Sequence, residues 1–212
     1  SGVLNQELSG PEGSEFMLNG SRLYEAEKGE LVLAATGDSL MSRPISSFRE
    51  ERFLKLLELI RQSDVAFTNL ETQVHRFEPN PSAVSGGTYT AAPPELLKEL
   101  EWAGFAIVSS SNNHAYDYGE GGVLSTLENL EKSGLVFSGL GRNLSAARAP
   151  GYLESPVGRV ALLSTTSTFP DAARAGEQRH DFHGRPGTSA LGIRSKYIVD
   201  KKSFQELRRI RD

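Results

Sequence analysis

Short apolar runs alternate with stretches that carry apolar residues at helical spacing, and this alternation restricts the possible folds more than any other feature of the sequence. Five apolar runs predict strands, at residues 31–35, 65–68, 105–108, 135–137 and 160–163. Strands that alternate with helices are typical of βαβ units, in which neighbouring strands run parallel and crossovers are right-handed. The sequence therefore predicts an α/β protein with a largely parallel sheet.

Helices are predicted where apolar residues recur every three or four positions, at residues 53–60, 93–103, 123–133 and 201–211. The second helix is expected to begin at Pro93 and Pro94, because proline suits the first turn of a helix. Gly104 and Gly134 are expected to cap the second and third helices. The last helix is basic.

The two ends of the chain and one internal segment depart from this pattern. Residues 1–30 are polar and show no sustained period, so we expect a loosely ordered leader before a single domain at residues 31–212. Residues 165–195 are rich in Gly, Arg and Pro. A segment of that length without regular structure is usually functional or disordered.

The charge balance and the lack of cysteine exclude several classes of function. A net charge of −4 without a basic block leads us to expect no nucleic-acid partner. With 0 cysteines, any metal must be bound by oxygen and imidazole. No run approaches the roughly 18 apolar residues of a membrane span. We expect a soluble chain, either cytoplasmic or the extracytoplasmic part of a membrane-anchored protein.

Three consecutive predicted strands are followed by polar side chains that suit a metal. These are Asp38 after the first strand, Asn69 and Glu71 after the second, and Asn112, Asn113 and His114 after the third. The carboxyl ends of parallel strands meet at one edge of a sheet, where ligands bind. Oxygen donors and one imidazole suit Mg, Mn, Fe or Zn. Two carboxylates at one edge repel each other unless a cation lies between them, so a metal centre is the favoured interpretation.

Each of these residues taken alone has a more ordinary explanation. Asp38 suits a turn or a helix cap, Glu71 a solvated loop, and His114 a hydrogen-bonded structural position. Their occurrence together at successive strand ends favours the functional interpretation. Asp117, which precedes three glycines, is expected to shape the loop and cap the next helix, or to support the ligands.

Other candidate motifs favour no further site. His180 and His183 have the spacing of a ligand pair, but no helix or strand is predicted to fix them, so a solvated loop is favoured. The glycine-rich turn at residues 139–141 lacks the third glycine of a dinucleotide fingerprint. Four arginines can pair with an anionic substrate, although solvated surface positions are the simpler interpretation: Arg142, Arg174, Arg179 and Arg185.

The motifs in this order resemble the CapA family of bacterial poly-gamma-glutamate capsule synthesis proteins, whose fold is similar to that of calcineurin-like metallophosphoesterases. The resemblance is carried by Thr36-Gly37-Asp38-Ser39-Leu40, Asn69-Leu70-Glu71, Ala92-Pro93-Pro94, Gly104-Phe105, Asn112-Asn113-His114 with Asp117-Tyr118-Gly119, Gly139-Leu140-Gly141-Arg142-Asn143 with Ala147 and Pro150, and Gly184-Arg185-Pro186-Gly187. It implies a sandwich of two β-sheets flanked by helices, arranged α/β/β/α.

The resemblance also implies a site with two divalent metal ions, such as Mn, Fe, Zn or Mg. Asp38 would bind one metal, Glu71 would lie near or between the two, and Asn113 would bind the second through its amide oxygen. His114 would face the leaving group. The remaining candidates would support these ligands or contact the substrate: Asn69, Asn112 and Asp117.

One departure from the family pattern concerns its second half. The family supplies further metal-binding histidines from a histidine-tryptophan-glycine motif and a histidine-x-histidine motif. Neither is present here, and the one tryptophan, Trp102, lies in a predicted helix. We therefore expect the N-terminal part of the family fold, with part of its metal site.

Three functions are compatible with these observations. The first is a metal-dependent hydrolase that acts on a phosphoester or on an amide-type bond of a cell-surface polymer. The second is an accessory component of polymer synthesis that binds polyglutamate or partner subunits without chemistry of its own. The third is a non-hydrolytic metal-dependent enzyme that acts on a peptide.

Overall fold

The computed structural model describes residues 17–18, 21–22, 30–85, 87–193 and 198–211. Its strands are β1 (Met17–Leu18), β2 (Ser21–Arg22), β3 (Leu33–Ser39), β4 (Val65–Leu70), β5 (Gln73–Val74), β6 (Ala91–Ala92), β7 (Ile107–Ser109), β8 (Val136–Ser138), β9 (Leu140–Gly141), β10 (Gly151–Ser155), β11 (Gly158–Leu162) and β12 (Gly187–Thr188). Its α-helices are α1 (Glu51–Arg61), α2 (Leu96–Ala103), α3 (Gly119–Glu131), α4 (Leu144–Ala147) and α5 (Lys201–Arg211).

Four of the predicted strands form one sheet in the order β3-β4-β7-β8. All three pairings in this sheet are parallel. The helices α1, α2 and α3 connect these strands in sequence, as expected for βαβ units. The predicted α/β class, with a parallel sheet flanked by helices, is confirmed and is consistent with part of a metallophosphatase-like fold.

The predicted strand at residues 160–163 does not join the parallel sheet. It forms β11, which pairs antiparallel with β10 in a hairpin. Only Pro156 and Val157 separate the two strands, and a connection this short cannot carry the crossover that parallel pairing needs. The apolar runs did not indicate β10, so the hairpin was not predicted.

Two strands extend further toward the polar residues than the apolar runs indicate. Asp38 lies inside β3 and is paired with Asn69 inside β4, after an irregularity in register between Ala35 and Asp38. Predicting both residues as following their strands was therefore wrong. An edge strand such as β3 can include polar residues, because its main chain pairs on one side while its side chains stay exposed.

The helices confirm the predicted elements, but α2 begins at Leu96, after the turn at Pro93 and Pro94 where its start was predicted. Leu57 and Ile60 of α1 are buried, as their spacing predicts. Gly104 follows α2 with φ of 108°, in the left-handed conformation that glycine adopts readily. A Cβ at Gly104 would also lie 2.9 Å from Cγ of Arg61, so the position requires glycine for two reasons.

Helix α3 differs from its prediction at both ends. It begins at Gly119 rather than near Val123, because its glycine-rich first turn is helical. Its C-terminal flanking residue is Lys132, and Gly134 instead donates its main-chain N–H to Oε1 of Glu101 at 3.0 Å. The expected glycine cap at this end is therefore absent.

Two apolar clusters hold the helices against the sheet. The larger one joins α1 and α2 to the strands and includes Leu57, Ile60, Leu100, Val108 and Leu130. The smaller one joins α3 to β9 and includes Val123, Leu127, Leu140 and Ala173. Complete burial of one such leucine contributes about 1.5–3 kcal/mol, so these clusters fix the helices that surround the sheet edge.

The long segment at residues 165–195 is folded as far as the structure describes it, to residue 193. Within it, β12 pairs antiparallel with β9, and Gly176 pairs with Arg185 in an outward hairpin. The predicted basic helix at residues 201–211 is confirmed as α5. The leader predicted at residues 1–30 lies mostly outside the described residues. The part of it that is described includes β1 and β2, which form a short antiparallel pair.

Candidate functional site

The carboxyl edge of the parallel sheet brings two groups of polar side chains together. The first group, here called the strand arm, consists of Asp38, Asn69 and Glu71 from β3, β4 and the residue directly after β4. The second, the loop arm, is the segment from Asn112 to Asp117 between β7 and α3. Asn69 pairs with Ser109 of β7 in register, so the two arms begin on adjacent strands.

Asn69 links the two carboxylates of the strand arm. Its Nδ2 donates to Oδ1 of Asp38 at 2.8 Å and also to Oε2 of Glu71. One amide nitrogen therefore contacts both carboxylates. The geometry brings the side chains of Asp38 and Glu71 close together, as their positions at neighbouring strand ends predict.

The electrostatics of the strand arm work against ionisation of Glu71. Burial raises the pKa of Glu71, and the negative charge of Asp38 raises it further, while the hydrogen bond from Asn69 and the nearby His114 lower it in part. Glu71 is 7% exposed. Its ionised form is therefore less favourable here than in water. A bound cation would offset both the cost of burying the charge and the repulsion from Asp38.

Asn112 joins the loop arm to the strand arm. Its Nδ2 donates to the main-chain oxygen of Leu70 at 2.8 Å and to Oδ1 of Asn69 at 3.3 Å. Its Oδ1 accepts the main-chain N–H of His114 at 3.1 Å. Asn112 is thus engaged at both ends of its amide, which suits a supporting role. The half-buried Asn113 follows it directly in the same loop.

His114 and Asp117 form a hydrogen-bonded pair. Nδ1 of His114 lies 2.8 Å from Oδ2 of Asp117, and the two side chains are 13% and 0% exposed. An ionised carboxylate only accepts hydrogen bonds, so Nδ1 carries a proton and donates it. Nε2 is then the nitrogen that can take or give a proton in a reaction.

Asp117 does not occupy the N-cap position of helix α3. That position is Tyr118, whose side chain makes no capping hydrogen bond. The Asp117 carboxylate instead binds His114 and the main-chain N–H of Thr90 at 2.8 Å. The capping role expected for Asp117 is therefore wrong, and its role as a support for other site residues stays a prediction.

Two residues of this region were not anticipated from the sequence. Besides its main-chain bond to Asp117, Thr90 donates its hydroxyl to the main-chain oxygen of Glu71 at 3.2 Å, so it touches both arms. Gln73 is 1% exposed and binds the loop arm through its side-chain amide. Both lie in a polar segment whose composition alone does not distinguish them from other loop residues.

The donor chemistry fits a divalent cation, but the ligand set is incomplete. Within the residues that the structure describes, no three or more His, Asp or Glu side chains form a group that could hold a metal ion. The expected ligands are two carboxylates and one amide oxygen, the donors that hard cations prefer. Such cations take about six ligands, so further ligands are needed to complete the site.

The exposed arginines and histidines favour the ordinary interpretation. Arg142 pairs with Glu131 at 3.0 Å, Arg174 with Asp171 at 3.2 Å and Arg179 with Asp181 at 3.3 Å. Arg185 donates to the main-chain oxygen of Arg174 at 2.9 Å. His180 and His183 are exposed near the tip of the outward hairpin, in agreement with a solvated loop.

The sequence matches a known family over most of its length. The model of the family described as "Bacterial capsule synthesis protein PGA_cap" matches residues 32–212. The chain belongs to this family. The resemblance to CapA proteins, and through them to the calcineurin-like superfamily, is confirmed.

Individual relatives agree with the family assignment. Two uncharacterized proteins of Sinorhizobium fredii, y4sH and y4uA, are each 33% identical over 201 residues, which is 93% of this chain and 43% of theirs. The capsule biosynthesis protein CapA of Bacillus anthracis is 25% identical over 159 residues, 72% of this chain and 39% of its own. The PGA biosynthesis protein CapA of Bacillus subtilis is 31% identical over 124 residues, 55% and 32% of the two chains. This chain thus spans less than half the length of these relatives.

No helix among the described residues is long and apolar enough to cross a membrane.

Proposed function

We propose that this member of the capsule synthesis family contributes a metal-dependent hydrolase site of the metallophosphoesterase type, which acts in the synthesis or processing of poly-gamma-glutamate. The observation that carries the proposal is the arrangement at the sheet edge. Two carboxylates in contact with one amide lie beside a histidine whose tautomer is fixed by a buried aspartate. Oxygen ligands next to a proton donor are the components that metal-assisted hydrolysis requires.

Each residue has a distinct role in this proposal. Asp38, Glu71 and Asn113 provide oxygen donors for divalent cations, with two ions proposed and the ligand set completed by groups beyond these three. Bound cations would supply Lewis acidity and would offset the charge of Asp38 and Glu71. Asn69 and Asn112 hold the donors in place through the hydrogen bonds described above.

His114 handles the proton. With Nδ1 bound to Asp117, its Nε2 can donate to the oxygen or nitrogen of a leaving group. The buried carboxylate of Asp117 stabilises the protonated imidazole and keeps the ring in one orientation. A group aligned in this way contributes typically about 10²–10⁴-fold to a rate.

A non-catalytic role in polymer synthesis is the second candidate. It is favoured by the names of the two Bacillus relatives, which refer to biosynthesis. In this case the site would bind a cation or an anionic polymer without hydrolysis, together with other polymer-synthesis subunits.

Metal content and hydrolysis in the complete protein separate the two candidates. We expect Asp38→Asn to lower the bound metal measured by elemental mass spectrometry, and His114→Ala to keep the metal but lower hydrolysis of an aryl phosphate or polyglutamate. Asp171→Asn is the matched control, since its side chain is 96% exposed and lies outside the site. Equal metal content in Asp38→Asn and the parent would contradict the assignment of Asp38 as a metal ligand. Metal without hydrolysis of either substrate would favour the non-catalytic role.

A further inference from the structure

The buried side chain of Gln73 makes one hydrogen bond within the loop arm and one to Tyr118, the residue directly after it. Its Nε2 donates to the main-chain oxygen of Ala115 at 2.8 Å, and its Oε1 accepts the main-chain N–H of Tyr118 at 2.7 Å. These two contacts bracket Asp117, the residue that holds His114. One side chain therefore fixes both sides of the turn that presents the histidine's partner.

The strand that carries Gln73 is itself fixed to helix α3. The main-chain N–H of Val74 donates to Oγ1 of Thr126 at 2.9 Å, and Nδ2 of Asn129 donates to the main-chain oxygen of Val74 at 2.9 Å. The short strand β5 is thus anchored by side chains of the helix that follows the loop arm. The main chain next to Gln73 is therefore held by two hydrogen bonds to α3.

The helix leaves no spare room beside the Gln73 amide. A Cβ at Gly122 would lie 2.4 Å from Oε1 of Gln73 and 2.7 Å from Cβ of Tyr118. Real Cβ atoms do not approach other heavy atoms so closely, so a side chain at position 122 would displace the amide or the loop. The glycine in the first turn of α3 therefore leaves room for the two hydrogen bonds that Gln73 makes to Ala115 and Tyr118, here called the clamp.

The position of Gln73 in the chain connects the clamp to the strand arm. Gln73 follows Glu71 by two residues, at the point where the chain leaves the strand arm. We infer that Gln73 is a positioning residue that sets the placement of the His114–Asp117 pair relative to the carboxylates of Asp38 and Glu71. The catalytic meaning of this inference rests on the proposed function, whereas the positioning itself does not.

The chemistry of the clamp explains why glutamine occupies this position. The loop offers one acceptor, the oxygen of Ala115, and one donor, the N–H of Tyr118. Only a side chain with a donor and an acceptor on one rigid plane satisfies both at once, and glutamine has that arrangement at the required reach. Methionine has a similar length but makes neither bond.

The direct test measures the tautomer of His114 by ¹⁵N NMR of histidine-labelled protein at one fixed pH near 8. In the parent we expect Nδ1 of His114 to carry the proton. Gln73→Met should shift the population toward the Nε2-protonated form, because the turn that places Asp117 loses two of its hydrogen bonds. Asp117→Asn is the positive reference, and Gln62→Met, at an exposed site after α1, is the matched control.

A second variant keeps the inference testable if Gln73→Met does not fold. Gly122→Ala leaves Gln73 in place but pushes against its Oε1, and alanine favours the helix more than glycine does. We expect the same shift in the His114 tautomer without a loss of helix content by circular dichroism. An unchanged tautomer in every folded variant, while Asp117→Asn does shift it, would overturn the inference and leave Gln73 with a purely structural role.

Kinetics give an independent readout in the complete protein. If His114 is misplaced, kcat should fall about 10- to 100-fold with little change in KM or metal content, since misplacement by about 1 Å has effects of that size. A fall in metal content together with kcat would contradict positioning of the histidine. If the parent hydrolyses nothing, the proposed function fails, but the tautomer measurement still decides the role of Gln73.

Discussion

The strand arm and the loop arm lie at the same sheet edge, yet they are held in place by different interactions. Asp38 and Asn69 are placed by parallel main-chain pairing between β3 and β4. The loop arm is placed mostly by side-chain hydrogen bonds, above all those of Gln73 and of its own Asn112. The carboxylates of the strand arm therefore depend on the sheet, whereas the histidine depends on a few polar contacts.

The two arms also differ in how well their charges are satisfied. In the loop arm, the carboxylate of Asp117 accepts hydrogen bonds from His114 and from the main chain of Thr90. In the strand arm, Asp38 and Glu71 share one amide donor, and the pKa of Glu71 is raised by burial and by Asp38. The loop arm is a satisfied network, while the carboxylates of the strand arm would be stabilised by a proton or by the proposed cation.

The largest effect is expected from Asp117→Asn, which tests whether the loop arm acts on the reaction alone. Without the buried charge, the Nδ1-protonated form of His114 is no longer favoured, and kcat should fall about 10²–10⁴-fold, as when an aspartate that orients a catalytic histidine is neutralised. Metal content should stay at the parent value. Loss of metal would show that the two arms are not separate in function.

Glu71→Gln tests the conclusion that the strand arm is strained by its own charge. The folded-state pKa of Glu71 lies above its ordinary value, so its protonated form favours folding below pH 4.5, and that benefit is lost as the pH rises through the folded pKa. At pH 7 without metal, the glutamine variant should be more stable than the parent. A gain in Tm of about 2–4 °C corresponds to ~1 kcal/mol in a domain of this size.

The pH dependence provides the control for this prediction. The difference in Tm between Glu71→Gln and the parent should shrink below pH 4.5, where both side chains are neutral. Added divalent cation should stabilise the parent more than the variant. A variant that is less stable than the parent at pH 7 in the presence of a chelator would contradict the assignment of charge strain to the strand arm.

Thr90→Val tests the contact that joins the two arms. The valine removes the hydroxyl, which lies 3.2 Å from the main-chain oxygen of Glu71 and 3.4 Å from Oδ2 of Asp117, but keeps the N–H that binds Asp117. We expect a loss of about 0.5–1.5 kcal/mol, the usual value for one hydrogen bond, and a change in kcat of less than about tenfold. Urea denaturation measures the first, and Thr90→Ser should retain parental stability. A larger loss of kcat would mean that the hydroxyl, rather than the main chain, holds the loop arm.

The sequence predicts the strand arm and the fold better than it predicts the supports of the loop arm. Apolar runs and helical spacing located the four strands of the parallel sheet and helices α1 and α2, because burial imposes those periods directly. Asp38, Glu71 and His114 could be predicted to converge, since the carboxyl ends of parallel strands share one edge. These inferences need only local pattern and topology.

The supports depend on contacts between distant parts of the chain, which leave no local pattern. Gln73 reaches Ala115 across 42 residues, and Thr90 reaches Asp117 across 27. A glutamine or threonine in a polar segment is ordinarily solvated, so residue type alone does not reveal such a contact. The hairpin of β10 and β11 was missed for a related reason, since an apolar run does not specify the direction of its partner strand.

The smallest effect is expected from His75, which lies on the segment that supports the loop arm. His75 is 1% exposed, its Nδ1 accepts the main-chain N–H of Phe77 at 3.0 Å, and its Nε2 has no hydrogen-bond partner among the described residues. Burial lowers the pKa of His75 below its usual 6.5, although nearby Glu78 opposes this in part. Folded His75 therefore takes up a proton only at a lower pH than His75 of the unfolded chain, which does so near pH 6.5.

The sign of the resulting pH dependence follows from linkage. Because the unfolded state binds more protons below pH 6.5, the contribution of His75 is fully present above that pH and is lost as the pH falls through the folded pKa. We expect urea denaturation midpoints to drop more between pH 7.5 and 5.5 in the parent than in His75→Gln, whose side-chain oxygen can still accept from Phe77. The strand arm titrates equally in both proteins, so this difference reports on the loop-arm support alone. Identical pH dependence in the two proteins would show that acid does not act on this support through His75.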